Sequence, residues 1–226
     1  MNIKKEIFRQ YDIRGVVGQE LTPETVTLLG KGIGTYFRNQ DRREVALGRD
    51  CRLSSPELAK VLTESLLSTG CDVIDLGVVP TPLLYFFVYY KNTEAGVMIT
   101  GSHNPPEYNG FKMMAGKETL YGETILDIHK IIQSEAFLQG EKGTQKEYNI
   151  RPEYEDYIAS NIELRRKLKI VVDAGNGTGG AVAVPLFKRL GCDVTELYCE
   201  MDGNFPHHHP DPTLPEALED LIHTVT

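Results

Sequence analysis

The polar run Thr100-Gly101-Ser102-His103-Asn104-Pro105-Pro106 follows directly on the apolar segment Ala95-Gly96-Val97-Met98-Ile99. The apolar segment reads as a buried strand, and a glycine followed closely by two prolines prevents a helix from continuing it. Ser102 therefore stands where a strand ends and the chain turns, with its hydroxyl on a constrained loop. An isolated serine is a weak nucleophile, so chemistry at this oxygen requires a loop that orients it and neighbours that stabilise developing charge. His103, Asn104 and the loop amides are the nearest polar groups. Ser, Asn and Pro also favour turns for purely local reasons, so the run alone is compatible with a turn and nothing more.

Acyl transfer is the first chemistry to weigh against that background. The Gly-x-Ser-x-Gly elbow of serine hydrolases is absent, since Asn104 stands where the second glycine belongs. His103 adjoins Ser102, and neighbouring side chains on an extended backbone diverge, so His103 is expected to lie poorly for taking the Ser102 proton. Two other stretches have chemical potential. Gly175-Asn176-Gly177-Thr178-Gly179-Gly180 fits the G-x-G-x-x-G spacing of a dinucleotide loop, with Glu196 or Glu200 near the acidic position. Asp173 precedes the glycines, where a carboxylate opposes a pyrophosphate; a tight strand-to-helix connection is the alternative. His207, His208 and His209, with Asp202 and Asp211 nearby, have metal-binding side chains. Consecutive histidines point in different directions, however, and Pro206, Pro210 and Pro212 keep the segment extended.

The elements that must position these groups alternate between helix and strand, as in an α/β protein. Thr22-Pro23-Glu24 caps a helix whose apolar face is Val26, Leu29, Ile33 and Phe37. A strand at 44–47, a helix from Ser55-Pro56-Glu57 closed by Gly70, and a strand at 71–76 follow. Residues 83–90 are apolar throughout and fit either period. A strand enters Ser102, another covers 111–114, and a helix spans 123–134. The polar, glycine-bearing segment 139–146 has no periodicity and marks a boundary, giving domains at 1–147 and 148–226. Beyond it the pattern predicts a helix over 152–168, a strand at 169–172, a helix after Gly180, a strand at 193–198, and an amphipathic helix at 215–224 with Leu218, Leu221 and Ile222 as its apolar contacts. The expected fold is a mixed β-sheet packed between helices, followed by an incomplete second α/β domain of similar type.

Composition narrows the partners. The 226 residues are 41% hydrophobic and 25% charged, ordinary globular values. A formal net charge of −8 argues against nucleic acid or an anionic membrane as a general partner, while leaving room for local cations around a small phosphate. Cys51, Cys71, Cys192 and Cys199 show no paired CxxC spacing and read as reduced structural thiols. Met1 to Lys5 lacks a signal-peptide core, and no run approaches the roughly 20 apolar residues of a membrane span. A cytoplasmic location is expected.

The Ser102 loop has company: Tyr11-Asp12-Ile13-Arg14-Gly15, Gly48-Arg49-Asp50, Val79-Pro80-Thr81-Pro82, Tyr108-Asn109-Gly110-Phe111-Lys112, Val172-Asp173-Ala174-Gly175-Asn176-Gly177 and Asp202-Gly203-Asn204-Phe205-Pro206. In this order the motifs resemble the α-D-phosphohexomutase superfamily, most of all its bifunctional phosphomannomutase/phosphoglucomutase branch, over nearly the whole chain. The resemblance implies an enzyme interconverting hexose 1-phosphate and hexose 6-phosphate through a hexose 1,6-bisphosphate. It implies Ser102 as the phosphoserine, Arg14 and Lys112 as cations beside it, His103 and Asn104 as residues shaping the loop, and a helix for the segment after Pro82. Loose phosphoryl-transfer transition states are stabilised mainly by positioning and charge neutralisation, which suits Arg14 and Lys112; Lys112 is also a candidate for proton exchange with the sugar hydroxyl.

The resemblance also implies Mg²⁺, bridging the serine phosphate and three aspartates of an Asp-Gly-Asp-Gly-Asp-Arg type loop. This sequence has no such loop. Of the implied metal ligands only Ser102 is present, and the family's sugar-recognition and second phosphate-binding loops are missing. The expectation is an N-terminal portion of a longer mutase, inactive alone, whose partners are a phosphorylated hexose and the remaining C-terminal domains. The alternatives are a naturally short, non-catalytic protein that binds a phosphorylated ligand or a partner, and a dinucleotide-binding enzyme.

Overall fold

The computed structural model describes residues 3–225. After a short 3-10 turn at Lys5–Ile7, the first unit is built from β1 (Ile13–Val16), α1 (Pro23–Arg38), β2 (Glu44–Arg49), α2 (Ser55–Ser68), β3 (Asp72–Val78), α3 (Thr81–Tyr90), β4 (Ala95–Ile99), β5 (Tyr108–Ala115), β6 (Glu118–Thr119), α4 (Glu123–Gln133) and β7 (Gln145–Glu147). The strands form one mixed sheet in the order β1-β5-β4-β2-β3-β7, with β6 paired to β5. The β3, β2, β4 and β7 neighbours are parallel, and β5 runs antiparallel to both β4 and β1. Helix α1 starts where Thr22 Oγ1 accepts the Thr25 amide at 3.3 Å and Pro23 occupies the first turn. Its buried face, Val26, Leu29, Ile33 and Phe37, lies in the core with α2, α4 and the inward residues of the strands. The apolar segment after Pro82 is helical: α3 buries Leu83, Leu84, Phe87 and Val88 on the opposite side of the sheet. The sheet thus lies between two helical layers, and its mixed α/β character matches the sequence reading.

A second unit follows: α5 (Arg151–Asn161), β8 (Lys169–Asp173), α6 (Gly180–Arg189), β9 (Asp193–Leu197), a 3-10 turn at Pro215–Leu218 and α7 (Glu219–Val225), with β8 and β9 parallel. Three expectations need correction. Part of the boundary segment, Gln145–Glu147, is an edge strand on β3; its side chains are exposed and it is held through the backbone, so it carries no apolar alternation. Thr144 donates its amide to Asp72 at 2.7 Å, and Gly143 passes so close to the Cys71 carbonyl that a Cβ would lie 1.7 Å from it. Helix α5 stops at Asn161 instead of reaching 168, because the Asn161 side-chain amide donates to the Tyr157 carbonyl at 2.7 Å and Ile162 turns extended. At the C-terminal helix Ala217 is buried and Ile222 is 57% exposed, so the seam is shifted from the expected one by the 3-10 opening turn.

Candidate active site

The register of β1 on β5 builds the cationic side of the site. Ile13 pairs with Phe111, both fully buried, so the residues that flank them along the strands share the opposite face of the sheet. Asp12, Arg14 and Lys112 meet there. The Asp12 carboxylate accepts from Arg14 Nη2 and pairs with Lys112 Nζ at 3.4 Å. The strands approach closely because Gly110 has no side chain: a Cβ there would lie 2.4 Å from the Ile13 carbonyl. Arg14 is nearly buried, and its second terminal nitrogen donates to Asn104 Oδ1, which ties the cations to the serine loop.

The loop itself leaves β4 at Ile99 and returns at β5. Ser102 has φ of +55°, a left-handed conformation uncommon for a residue with a Cβ and frequent where function constrains the backbone. Its amide donates to Thr100 Oγ1 at 2.9 Å, and its side chain is exposed. The left-handed turn overturns the expectation that Ser102 and His103 diverge: Ser102 Oγ lies 3.4 Å from His103 Nδ1. That separation is well beyond the 2.7–2.8 Å typical of a hydroxyl hydrogen bond, roughly, so it is a weak contact.

Two further residues fix the loop, and neither was singled out from sequence. Asp50, at the end of β2, accepts the Gly101 amide at 3.1 Å, the Arg52 amide at 3.1 Å and the Ser55 hydroxyl at 2.6 Å. Arg52 has a side chain only 1% exposed. Its guanidinium donates to the carbonyls of Ser102 at 2.9 Å, Asn104 at 2.6 Å, Pro105 at 2.6 Å and Tyr108 at 3.1 Å. Burial lowers the Arg52 pKa and outweighs the neighbouring Asp50, although an arginine stays protonated in a protein. Asn109, fully buried on β5, donates to the hydroxyls of Ser54 at 2.9 Å and Ser55 at 3.0 Å, joining the start of α2 to the same network. A buried arginine serving backbone carbonyls fifty residues away leaves no local sequence signal; Asp50 and Asp12 were visible only as members of short motifs.

The second unit touches this network through Cys51 and the segment after Asp202. Cys51 Sγ lies 3.5 Å from the Asn176 carbonyl, and burial followed by the nearby Asp50 pushes its thiol up to about 11. Such a thiol is inert as a nucleophile at neutral pH.

The glycine loop is occupied by its own side chains. Asp173 Oδ1 accepts the Gly175 amide at 2.9 Å and both Asp173 oxygens lie 3.1 Å from His208 Nε2, so the position a pyrophosphate would take holds a carboxylate. A Cβ at Gly180 would lie 2.5 Å from the Cys199 carbonyl, which accounts for that glycine by packing. His207 and His208 both meet the Tyr198 ring, one stacked and one edge-on, but their ring nitrogens take different partners. His207 stacks on Tyr198 and contacts Asn176 Oδ1 at 2.8 Å, while His208 turns toward Asp173. Among the described residues no three His, Cys, Asp or Glu side chains converge as a metal site. The residues present therefore do not by themselves fit Mg²⁺ at Ser102.

The sequence matches the phosphoglucomutase/phosphomannomutase alpha/beta/alpha domain I over residues 5–139 and domain II of the same family over residues 152–226. The chain belongs to the phosphoglucomutase/phosphomannomutase family. It is 49% identical over 216 residues to the phosphomannomutase/phosphoglucomutase of Pseudomonas aeruginosa, covering 96% of this chain and 46% of that protein. It is 48% identical to the phosphoglucomutase of Neisseria gonorrhoeae, covering 98% of this chain and 48% of that one. A crystal structure of a phosphoglucomutase/phosphomannomutase family protein from Burkholderia thailandensis superposes with a TM-score of 0.95 at 42% identity, covering 99% of this chain and 50% of that one. The chain thus spans about half the length of the relatives it matches.

Proposed function

We propose that this chain carries the phosphoserine part of a phosphohexomutase, with Ser102 as the residue that gives a phosphoryl group to, and takes one from, glucose or mannose phosphates. The observation that carries the reading is the convergence on one sheet end of an exposed serine in a left-handed turn and the Arg14, Lys112 and Asp12 cluster tied to its loop through Asn104. In the forward half-reaction the bond from phosphorus to Ser102 Oγ breaks as one forms to a sugar hydroxyl, giving a hexose bisphosphate. The reverse transfer from the other phosphate restores the phosphoserine and leaves the isomeric monophosphate. Both steps place negative charge on the equatorial phosphoryl oxygens, and both cations suit it: Arg14 as a planar donor and Lys112 as a point charge. Asp12 holds both side chains in place; charge neutralisation is the first role of Lys112 and proton exchange with the sugar hydroxyl a second. His103 and Asn104 shape the loop.

Mg²⁺ belongs to this reading as a cation that the phosphate on Ser102 would help to hold, with carboxylates that these 226 residues do not supply completing its shell. The missing carboxylates motivate a further part of the proposal: these 226 residues do not turn over substrate alone, and a phosphorylated hexose and the rest of a longer polypeptide are the partners, in the cytoplasm. Among the described residues no helix is long and apolar enough to cross a membrane. The test is interconversion of hexose 1- and 6-phosphates by the full-length protein beside its Ser102→Ala variant and beside the 226-residue chain. Turnover that survives Ser102→Ala overturns the assignment of the serine, and turnover by the short chain above that control overturns the claim of inactivity.

A further inference from the structure

The most unusual group outside the cationic cluster is the Arg52 side chain. A buried guanidinium is costly unless its charge and its donors are satisfied. Here Asp50 lies 3.3 Å from Nε, while both terminal nitrogens are spent on four backbone carbonyls of a single loop. Those carbonyls belong to the segment that carries Ser102. Left free, their negative ends would repel a phosphoryl group on the neighbouring hydroxyl; engaged by Arg52, they are neutralised, and the left-handed turn at Ser102 is held. Gly101 completes the fit, since a Cβ there would lie 2.4 Å from Arg52 Cζ.

The other side of Arg52 is closed by the second unit. The Phe205 ring lies 5.2 Å from the guanidinium carbon, within cation–π range. Gly203 packs so tightly that a Cβ would lie 2.5 Å from the Cys51 carbonyl and 3.1 Å from Arg52 Cα. The segment after Asp202 therefore bears on the serine loop through the Arg52 side chain.

We infer that Arg52 is a positioning residue for the phosphoryl group on Ser102, shaping the loop from behind and linking it to the second α/β unit through Phe205. The inference rests on the phosphoserine reading above. It is distinct from the role of Arg14 and Lys112, because both terminal nitrogens of Arg52 point into the loop backbone.

The experiment uses the full-length protein and hexose 1-phosphate with its bisphosphate. A lysine has one compact donor centre and cannot span four carbonyls. Arg52→Lys is expected to lower kcat about tenfold or more while KM for the hexose phosphate stays within about twofold, the pattern of lost transition-state positioning. Phe205→Leu keeps an apolar cover and removes the aromatic face, so a fall in kcat of about two- to fivefold is expected. In Arg52→Ala, added methylguanidinium is expected to restore part of kcat, whereas urea, flat but uncharged, is not. If Arg52→Ala does not fold, the Arg52→Lys and Phe205→Leu values decide. An Arg52→Lys protein with wild-type kcat, or with a raised KM and unchanged kcat, overturns the inference. So does a loss of kcat that merely follows the folded fraction measured by circular dichroism. Wild-type turnover that survives Ser102→Ala overturns the underlying reading instead, so the two failures are distinguishable.

Discussion

Replacing Gly101 with alanine probes the loop with the smallest available change. The backbone at Gly101 is not in the left-handed region, so conformation alone permits a side chain. Reducing the freedom of the unfolded chain would then stabilise the protein by roughly 0.4–1 kcal/mol. Sterics oppose this: the new Cβ would stand 2.4 Å from both Cζ and Nε of Arg52 and 2.8 Å from the Tyr108 carbonyl. The guanidinium is the far end of a long side chain, but four carbonyl hydrogen bonds pin it, and moving it sacrifices bonds worth about 1.5–3 kcal/mol each when the donor is charged. Overpacking of a rigid core costs about 1–3 kcal/mol. Setting the upper part of that range against the entropic gain leaves a net destabilisation of about 2 kcal/mol, a fall in Tm of about 4–8 °C for a chain of this size. Urea denaturation and a thermal melt measure it. The cause is separated by repeating the change in an Arg52→Lys background, where a slimmer side chain should relieve at least about 1 kcal/mol of the cost. A Gly101→Ala protein within about 0.5 kcal/mol of wild type, or full additivity in the double variant, refutes the claim that Arg52 is fixed against the loop.

Other perturbations have equally definite outcomes. Asp12→Ala leaves the nearly buried Arg14 without its carboxylate and is expected to destabilise by about 3 kcal/mol, read from the urea midpoint. Asn109→Ala removes a fully buried donor shared by two serine hydroxyls and should cost about 1–3 kcal/mol in the same assay. The His208 pKa is set by opposing effects: burial lowers it, and the His209 carbonyl and Asp173 outweigh burial and raise it above the ordinary 6.5. A raised folded-state value means the pair's contribution is fully present below the unfolded pKa and is lost as pH rises through the folded one. Stability relative to His208→Gln should therefore shrink from about pH 6.5 upward, and a flat difference between the two proteins across that range would contradict the pairing.

The regular elements were legible because their burial is one-sided and periodic. Helix α1 displays Val26, Leu29, Ile33 and Phe37 at helical spacing, and all four are fully buried. What escaped was structure held by the backbone. The strand at Gln145–Glu147 buries no side chain, so no alternation announces it. The end of α5 depends on one hydrogen bond from Asn161, which composition does not reveal. At the site, Ser102, Arg14 and Lys112 stood out through motif company, and the β1–β5 register supplies the physical reason the cations meet. Arg52 was missed because an arginine in a polar stretch reads as a solvated charge; its burial depends on carbonyls contributed by residues 102–108, far along the chain. The Ser102 to His103 contact is not legible in the sequence, because the chain turns left-handed where an extended backbone would separate the two side chains.

Whether Ser102 carries a transferable phosphoryl group can be read from the intact mass of the full-length protein before and after incubation with hexose 1,6-bisphosphate and Mg²⁺. A mass increase of one phosphoryl group is expected, removed by excess hexose monophosphate and absent in Ser102→Ala. A wild-type protein that carries the group neither before nor after incubation, or a Ser102→Ala protein that carries it equally, would contradict that role.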